Sequence, residues 1–168
     1  MREYSKDEKE YKAYVQSLKN SALTAFYTPE SVVTAMQESL QLPGIRPGRF
    51  LDPSAGTGMF ISGLKDIHEV HCFEKDKLTG KILSSLYPES RVTIDGFQSI
   101  QPYYNNYFDM VSSNIPFGNT RVYDRDFDRS EDVVRKFSLA AVHNYFFLKG
   151  MDTLHEGGIL AYITTSGI

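Results

Sequence analysis

From Arg49 onward, short apolar runs alternate with stretches of helical periodicity, and this alternation is the tightest constraint the sequence places on its fold. The strand-like runs are Arg49 to Asp52, Glu69 to Glu74, Arg91 to Asp95, Phe108 to Ser112 and Ile159 to Thr165, the last following the turn Glu156-Gly157-Gly158. Between them Met59 to Ile67 and Lys77 to Leu86 read as helices. A long helix is predicted after Ser130, with Val134, Phe137, Ala141, Tyr145 and Leu148 along one face. Strands separated by helices cannot close as tight hairpins; they run parallel and are covered on both faces. The predicted class is therefore α/β, a doubly wound, mostly parallel, Rossmann-like sheet. A length of 168 residues suits about one such domain.

Ahead of the sheet, Thr28-Pro29-Glu30 is a helix start: a hydroxyl at the cap, a proline whose missing N–H costs nothing there, and an acid in the first turn. That helix should run from Pro29 to Gln41 and give way to the breaker-rich connector Leu42 to Gly48. Tyr4 to Leu18 has the spacing of a further amphipathic helix. Asn119 to Asp132, dense in both charge signs, reads as an exposed loop. An apolar strand so near Ile168 would leave its edge to solvent or to another chain, so the sheet reads as truncated after its fifth strand.

Composition narrows the function classes. With 18 Lys and Arg against 21 Asp and Glu, the net charge of −3 argues against a domain that grips nucleic acid by bulk charge. No apolar run is long enough for a membrane span, and Met1 to Lys12 is too charged for a secretory leader, so a cytoplasmic protein without a membrane partner is expected. The single cysteine, Cys72, allows no internal disulfide and reads as a small core residue. His68 and His71 flank a strand without evident acidic partners, and His143 and His155 read as helix-surface residues, so no metal site is expected. Tyr103, Tyr104, Tyr107 and Phe108 read as core packing or a loop cover.

Two constellations carry chemistry. Asp52-Pro53-Ser54-Ala55-Gly56-Thr57-Gly58-Met59-Phe60 follows the first strand, where glycines let backbone approach a ligand. Glu74, ending the second strand, is placed to accept the hydroxyl protons of a ribose. Phe60 and Ile61 stand where a dinucleotide loop needs small residues, and Asp52 would repel a pyrophosphate. A ligand with a nearby cation, such as S-adenosylmethionine, suits Asp52 on Coulombic grounds. The second constellation, Ser113-Asn114-Ile115-Pro116-Phe117-Gly118, ends the fourth strand. The Asn114 side chain and the Ile115 carbonyl can accept the two N–H donors of a planar amine while Phe117 stacks on its ring.

Together with Ala25-Phe26-Tyr27-Thr28-Pro29 and Phe73-Glu74-Lys75-Asp76, these segments resemble, in order, the Tyr-Thr-Pro segment, the D-P-x-x-G-x-G-x-F loop, the ribose-binding acid and the N-P-P-F/Y turn of the amino-group adenine-N6 DNA methyltransferases of restriction-modification systems and mobile elements. The resemblance implies an S-adenosylmethionine-dependent methyltransferase core over residues 25–168, preceded by an N-terminal helical segment over 1–24 and lacking a target-recognition domain. It implies that Tyr27 and Thr28 close over the methionine moiety and that Asp52 faces its amino group. The backbone of Pro53, Ser54, Ala55, Gly56 and Gly58 then lies alongside, Glu74 holds the ribose, Asp95 receives the adenine amino group, and Phe97 packs on that ring. Asn114, Ile115, Pro116 and Phe117 would hold an adenine flipped out of DNA. Ile115 replaces the first proline of the turn, and Gly96 separates Asp95 from Phe97 where the family places acid and aromatic side by side. Methylation of a glutamine amide or an RNA base, and a cofactor-binding module of a larger protein that does not turn over, are the alternatives.

Overall fold

The computed structural model describes residues 6–12, 14–16, 28–41, 47–64 and 67–164. Along strands β1 (Arg49–Asp52), β2 (Glu69–Phe73) and β4 (Phe108–Asn114), successive residues feed two separate cores, as the two-residue period of a strand requires. On one face Phe50, Cys72 and Met110 pack with Val33, Ala55, Phe60, Ile61 and Leu83. On the other, Leu51, Phe73 and Val111 pack with Phe97, Phe127, Leu139, Tyr145 and Phe146. β3 (Arg91–Thr93) and β5 (Leu154–Ile163) complete a five-stranded sheet in the order β3-β2-β1-β4-β5, every pairing parallel. The order reverses between β1 and β4, which opens a crevice at the carboxyl ends of those strands.

Helices α1 (Glu30–Gln41) and α2 (Lys77–Leu86) cover the first face through Val33 and Leu83. α3 (Arg125–Arg129), α4 (Val133–Ser138) and α5 (Val142–Thr153) cover the second. Asp76, Asp124 and Asp132 cap α2, α3 and α4 with side-chain oxygens on first-turn N–H groups. The link from β3 to β4 is two short 3₁₀ turns, Phe97–Ser99 and Pro102–Tyr104. Tyr104, Tyr107 and Phe108 close over the base of the sheet, while Tyr103 is 70% exposed. Among the described residues no helix is long and apolar enough to cross a membrane.

Several sequence expectations need correction. The long helix after Ser130 is two helices: Ala141 is extended (φ −136°, ψ 125°), which sets Val134 and Phe137 in solvent and Tyr145 in the core. Met59 to Leu64 forms turns in place of helix, held by Gly58 O accepting from the N–H groups of Ile61 (3.0 Å) and Ser62 (3.2 Å). β3 stops at Thr93, and β5 begins already at Leu154, with a bulge opposite Phe108 to Met110 absorbing the Gly157 turn. The 119–132 segment holds α3 and buries Asp124 and Phe127. His71 is buried and bonds Glu69 Oε1 at 2.7 Å, His143 is buried on α5, and His155 lies on β5 against Asp109. The Tyr4 to Leu18 helix is seen at residues 8–12 and 14–16, and the rest of it lies outside the described residues.

Asp124 anchors the second face. Its Oδ1 accepts from the N–H groups of Asp126 (2.9 Å) and Phe127 (3.1 Å), and its Oδ2 from the Tyr145 hydroxyl (2.7 Å). Lys149 Nζ lies 3.0 Å from the same Oδ2, with only 8% of the lysine side chain and 3% of the aspartate exposed. Removing one partner strands the other charge away from water. Asp124→Ala should therefore cost about 3–5 kcal/mol in urea unfolding, whereas Val134→Ala, at a 60% exposed position, should stay within about 0.5 kcal/mol.

Candidate active site

The loop after β1 is shaped by the ends of its two neighbouring strands. Ala55 N–H donates to Phe73 O on β2 (2.9 Å), and the Ser113 hydroxyl of β4 donates to Ser54 O (3.3 Å). Glu74, just past β2, uses both carboxylate oxygens: Oε2 accepts from Gly56 N–H (2.9 Å) and Oε1 from Asp76 N–H at the start of α2 (2.7 Å). Gly56 and Gly58 take φ of +55° and +90°, values that side chains resist. A Cβ on Gly58 would sit 2.3 Å from the Tyr87 ring, so the loop lies directly on that ring. A Cβ on Gly56 would meet nothing within 4 Å, so the loop backbone faces open space on that side.

Asp52 ends β1 completely buried. Its Oδ1 accepts from Ser54 N–H at 3.1 Å, while Oδ2 has no hydrogen-bond partner. Burial pushes its pKa up to about 7, against the pull of the nearby Ser113 hydroxyl and the Ser54 N–H, and the nearby charge of Glu74 adds to the rise. Glu74, half-buried, is also raised, chiefly by desolvation and against the N–H groups of Asp76 and Gly56. Two carboxyls thus stand near enough to interact, one with a buried oxygen that lacks a hydrogen-bond partner. Such a pair favours a cationic hydrogen-bond donor and disfavours an anion.

On the other side of the crevice, β4 ends at Asn114, which is half-buried and in register with Ile163 of β5. Ile115 is 1% exposed, Pro116 is exposed and Phe117 is 42% exposed, so the turn climbs from core to surface within three residues. β2 and β4 both flank β1, which puts Glu74 and Asn114 at the same end of the sheet, about 10 Å apart at two strand spacings. Asp95 is exposed beyond β3 and accepts from Gly96 N–H at 2.7 Å. Phe97 is 1% exposed, its ring packed against Phe73, Tyr145 and Phe146. Thr28 is half-buried just ahead of α1, a helix whose Gln37 donates to Phe60 O at 3.1 Å; Tyr27 lies outside the described residues.

The sequence pointed to Ser113 without giving its role, and it gave no sign of Ile163. Ser113 closes the glycine loop from β4, and Ile163 accepts the Ile115 N–H at 3.1 Å. Both are set by cross-strand register, which no local spacing in the chain signals. Among the described residues no group of three or more His, Cys, Asp or Glu could hold a metal ion.

Comparison with known proteins places this geometry. No protein-family profile matches the chain. It is 31% identical over 153 residues to the Defense against restriction protein B of Escherichia phage P1, a match that covers 88% of this chain and 6% of that protein. The chain thus spans a small fraction of the curated relative's length. Among solved structures it resembles one assigned as a class I S-adenosylmethionine-dependent methyltransferase from Listeria monocytogenes (TM-score 0.67, 17% identity, 97% of this chain and 55% of that one). It also resembles a modification subunit of a type I restriction enzyme from Vibrio vulnificus (TM-score 0.61, 18% identity, 92% and 37%). A third, assigned as an RNA methyltransferase from Pyrococcus horikoshii, has a TM-score of 0.57, 20% identity and coverages of 86% and 65%. The chain has the S-adenosylmethionine-dependent methyltransferase fold. At these identities the solved structures speak to the fold alone, and the α/β, Rossmann-like expectation is met.

The raised pKa of Asp52 has a measurable consequence. Between its ordinary value near 3.8 and about 7, the folded chain holds a proton that the unfolded chain has released, so this group's contribution to stability falls as pH rises through that window. Asp52→Asn abolishes the titration. Urea unfolding at pH 5 and pH 7.5 should show the variant gaining on the unsubstituted protein at the higher pH. An unchanged difference would mean that Asp52 is ionised throughout.

Proposed function

We propose that this chain is the S-adenosylmethionine-binding core of a methyltransferase that acts on the N6 amino group of adenine in DNA. The observation that carries the reading is the buried, unpartnered Oδ2 of Asp52 beside the Glu74-bound glycine loop, one strand away from Asn114. A free buried carboxylate oxygen is costly unless a cationic donor reaches it, and the cofactor's amino group is such a donor. Open space over Gly56 suits a ligand lying along the loop.

On this reading Asp52 takes the amino group, the backbone from Pro53 through Gly58 lines the methionine end, and Thr28 with Tyr27 covers it. Glu74 keeps its N–H bonds through one lone pair on each oxygen and offers the others to the ribose hydroxyls. Asp95 receives the cofactor's adenine amino group, and Phe97, held in the core, backs that pocket wall. When bound, the cofactor supplies a methyl group activated on a sulfonium. Asn114 Oδ1 and the Ile115 carbonyl accept hydrogen bonds from the two N–H groups of the target amine, which keeps its nitrogen lone pair directed across the crevice, and Phe117 stacks on the target ring. Positioning and exclusion of water account for most of the rate.

The choice of DNA rests on the motif order and is supported by the names of two similar proteins, the phage defence-against-restriction protein and the restriction-enzyme modification subunit. With a net charge of −3 the chain is a poor general binder of phosphates, so target reading is assigned to sequence or a subunit beyond this core. β5 pairs with β4 alone among the described residues, and its outer edge is the place for such material to join. Because the chain corresponds to only 6% of its curated relative, a core that binds cofactor yet needs the remainder for turnover is the second reading.

Calorimetry with S-adenosylmethionine and transfer of its labelled methyl group to adenine-containing duplex DNA test this. Asp52→Ala and Glu74→Ala should each weaken cofactor binding by tenfold or more. Asn114→Ala should leave binding within about twofold while lowering transfer by about 10²-fold or more. At pH 6, binding should also release a large part of a proton as Asp52 ionises against the ligand. Cofactor binding without transfer would favour the second reading, and equal loss of affinity in all three variants would refute the division of roles.

A further inference from the structure

Ile115 stands where the resembling turn has a proline, and the structure gives the exchange a physical content. Its N–H donates to Ile163 O at 3.1 Å, one rung beyond the Asn114–Ile163 pair that ends the β4–β5 register. A proline has no N–H and could not make that rung. The side chain is 1% exposed and belongs to the core built by Val111, Phe127, Leu139 and Tyr145. On its other side Pro116 confines Ile115 to extended backbone.

We infer that Ile115 is a positioning residue, whose backbone N–H and buried side chain tie the Asn114 turn to β5 and thereby aim the Asn114 amide and the Ile115 carbonyl. This rests on the reading of Asn114 as the reader of the target amine. It goes further in assigning the rigidity of the turn to a sheet hydrogen bond in place of a ring. β5 then becomes part of the site: a change in its alignment reaches the two acceptors through the β4–β5 pairing, of which the Ile115 N–H rung is the last member.

The test compares Ile115→Val, which keeps the N–H, with Ile115→Pro, which removes it and restores the ring. A third form carries the α-hydroxy analogue of isoleucine at position 115, which replaces the N–H by an ester oxygen and keeps the side chain. Three quantities are read in the full chain: cofactor affinity, kcat for methyl transfer to duplex DNA, and the NMR order parameter of the Asn114 side-chain amide. The expected result is unchanged cofactor affinity throughout and a kcat within about threefold for Ile115→Val. For Ile115→Pro and the ester form, kcat should fall about tenfold, the rate equivalent of one hydrogen bond, together with a lower order parameter at Asn114. If Ile115→Pro fails to fold, the ester form decides. Equal or faster transfer and an unchanged order parameter in the forms lacking the N–H would overturn the inference. Absence of transfer in the unsubstituted protein would instead count against the proposed function, and the order parameter would still decide the role of Ile115.

Discussion

The carboxylate of Glu74 ties together three pieces of chain that are far apart in sequence. One oxygen holds Gly56 in the loop after β1, and the other holds Asp76, which in turn caps α2 by accepting from Thr79 N–H at 2.9 Å. Without these bonds the glycine loop would have Ala55 N–H on Phe73 O and little else to pull it towards β2. The loop's shape, the start of α2 and the walls of the crevice are therefore consequences of one acid placed at the tip of one strand. That acid must ionise to serve, and burial raises its pKa, so the arrangement costs stability that the surrounding N–H donors offset.

Asp52 makes the economy of the site clearer. It sits one strand away, wholly buried, with a single N–H on one oxygen and nothing on the other. A core built only for stability would place an apolar residue or a fully bonded amide there. The same buried charge weighs on its neighbours: Cys72, paired with Asp52 across the β1–β2 register, has its thiol pushed well up by burial and by Asp52. A thiol so placed stays protonated and apolar, in keeping with its packing beside Phe50 and Met110. One of the buried polar atoms left without a partner thus lies at the carboxyl end of β1, at the point where the strand order reverses and ligands enter this class of sheet.

Much of this was legible in the sequence, for reasons that are themselves physical. The strand cores, the glycine loop and Glu74 could be read because period-two burial and positive-φ glycines leave local marks. What could not be read depends on residues distant in sequence. The pattern after Ser130 is continuous in helical spacing, yet the chain breaks at Ala141 because the Tyr145 ring goes into the core with Phe127 and Phe97, leaving Phe137 74% exposed. The burial of His71 could not be read because, although its partner Glu69 is two residues away on the same strand face, the cage around the pair comes from Tyr104, Tyr107 and Phe108, far along the chain. Met59 to Leu64 carries helical spacing too, but the Gly58 conformation that seats the loop on Tyr87 sends the next residues into turns.

The turn at Asn114 shows how a departure from a motif can restrain the chain by another route. Read as letters, isoleucine for proline is a loss of stiffness. In the sheet, the same exchange supplies a donor opposite the Ile163 carbonyl of β5, and a side chain that fills the core beneath the turn. A ring restrains one φ angle locally, whereas a rung restrains the turn relative to a strand seven residues longer than β3 and joined to β4 along most of its length. The second kind of restraint makes the acceptors at 114 and 115 only as well aimed as β5 is well seated. A chain built this way gains precision at the turn from whatever stabilises the outer strand, so the seating of the sheet's edge and the aim of the Asn114 turn become a single structural problem.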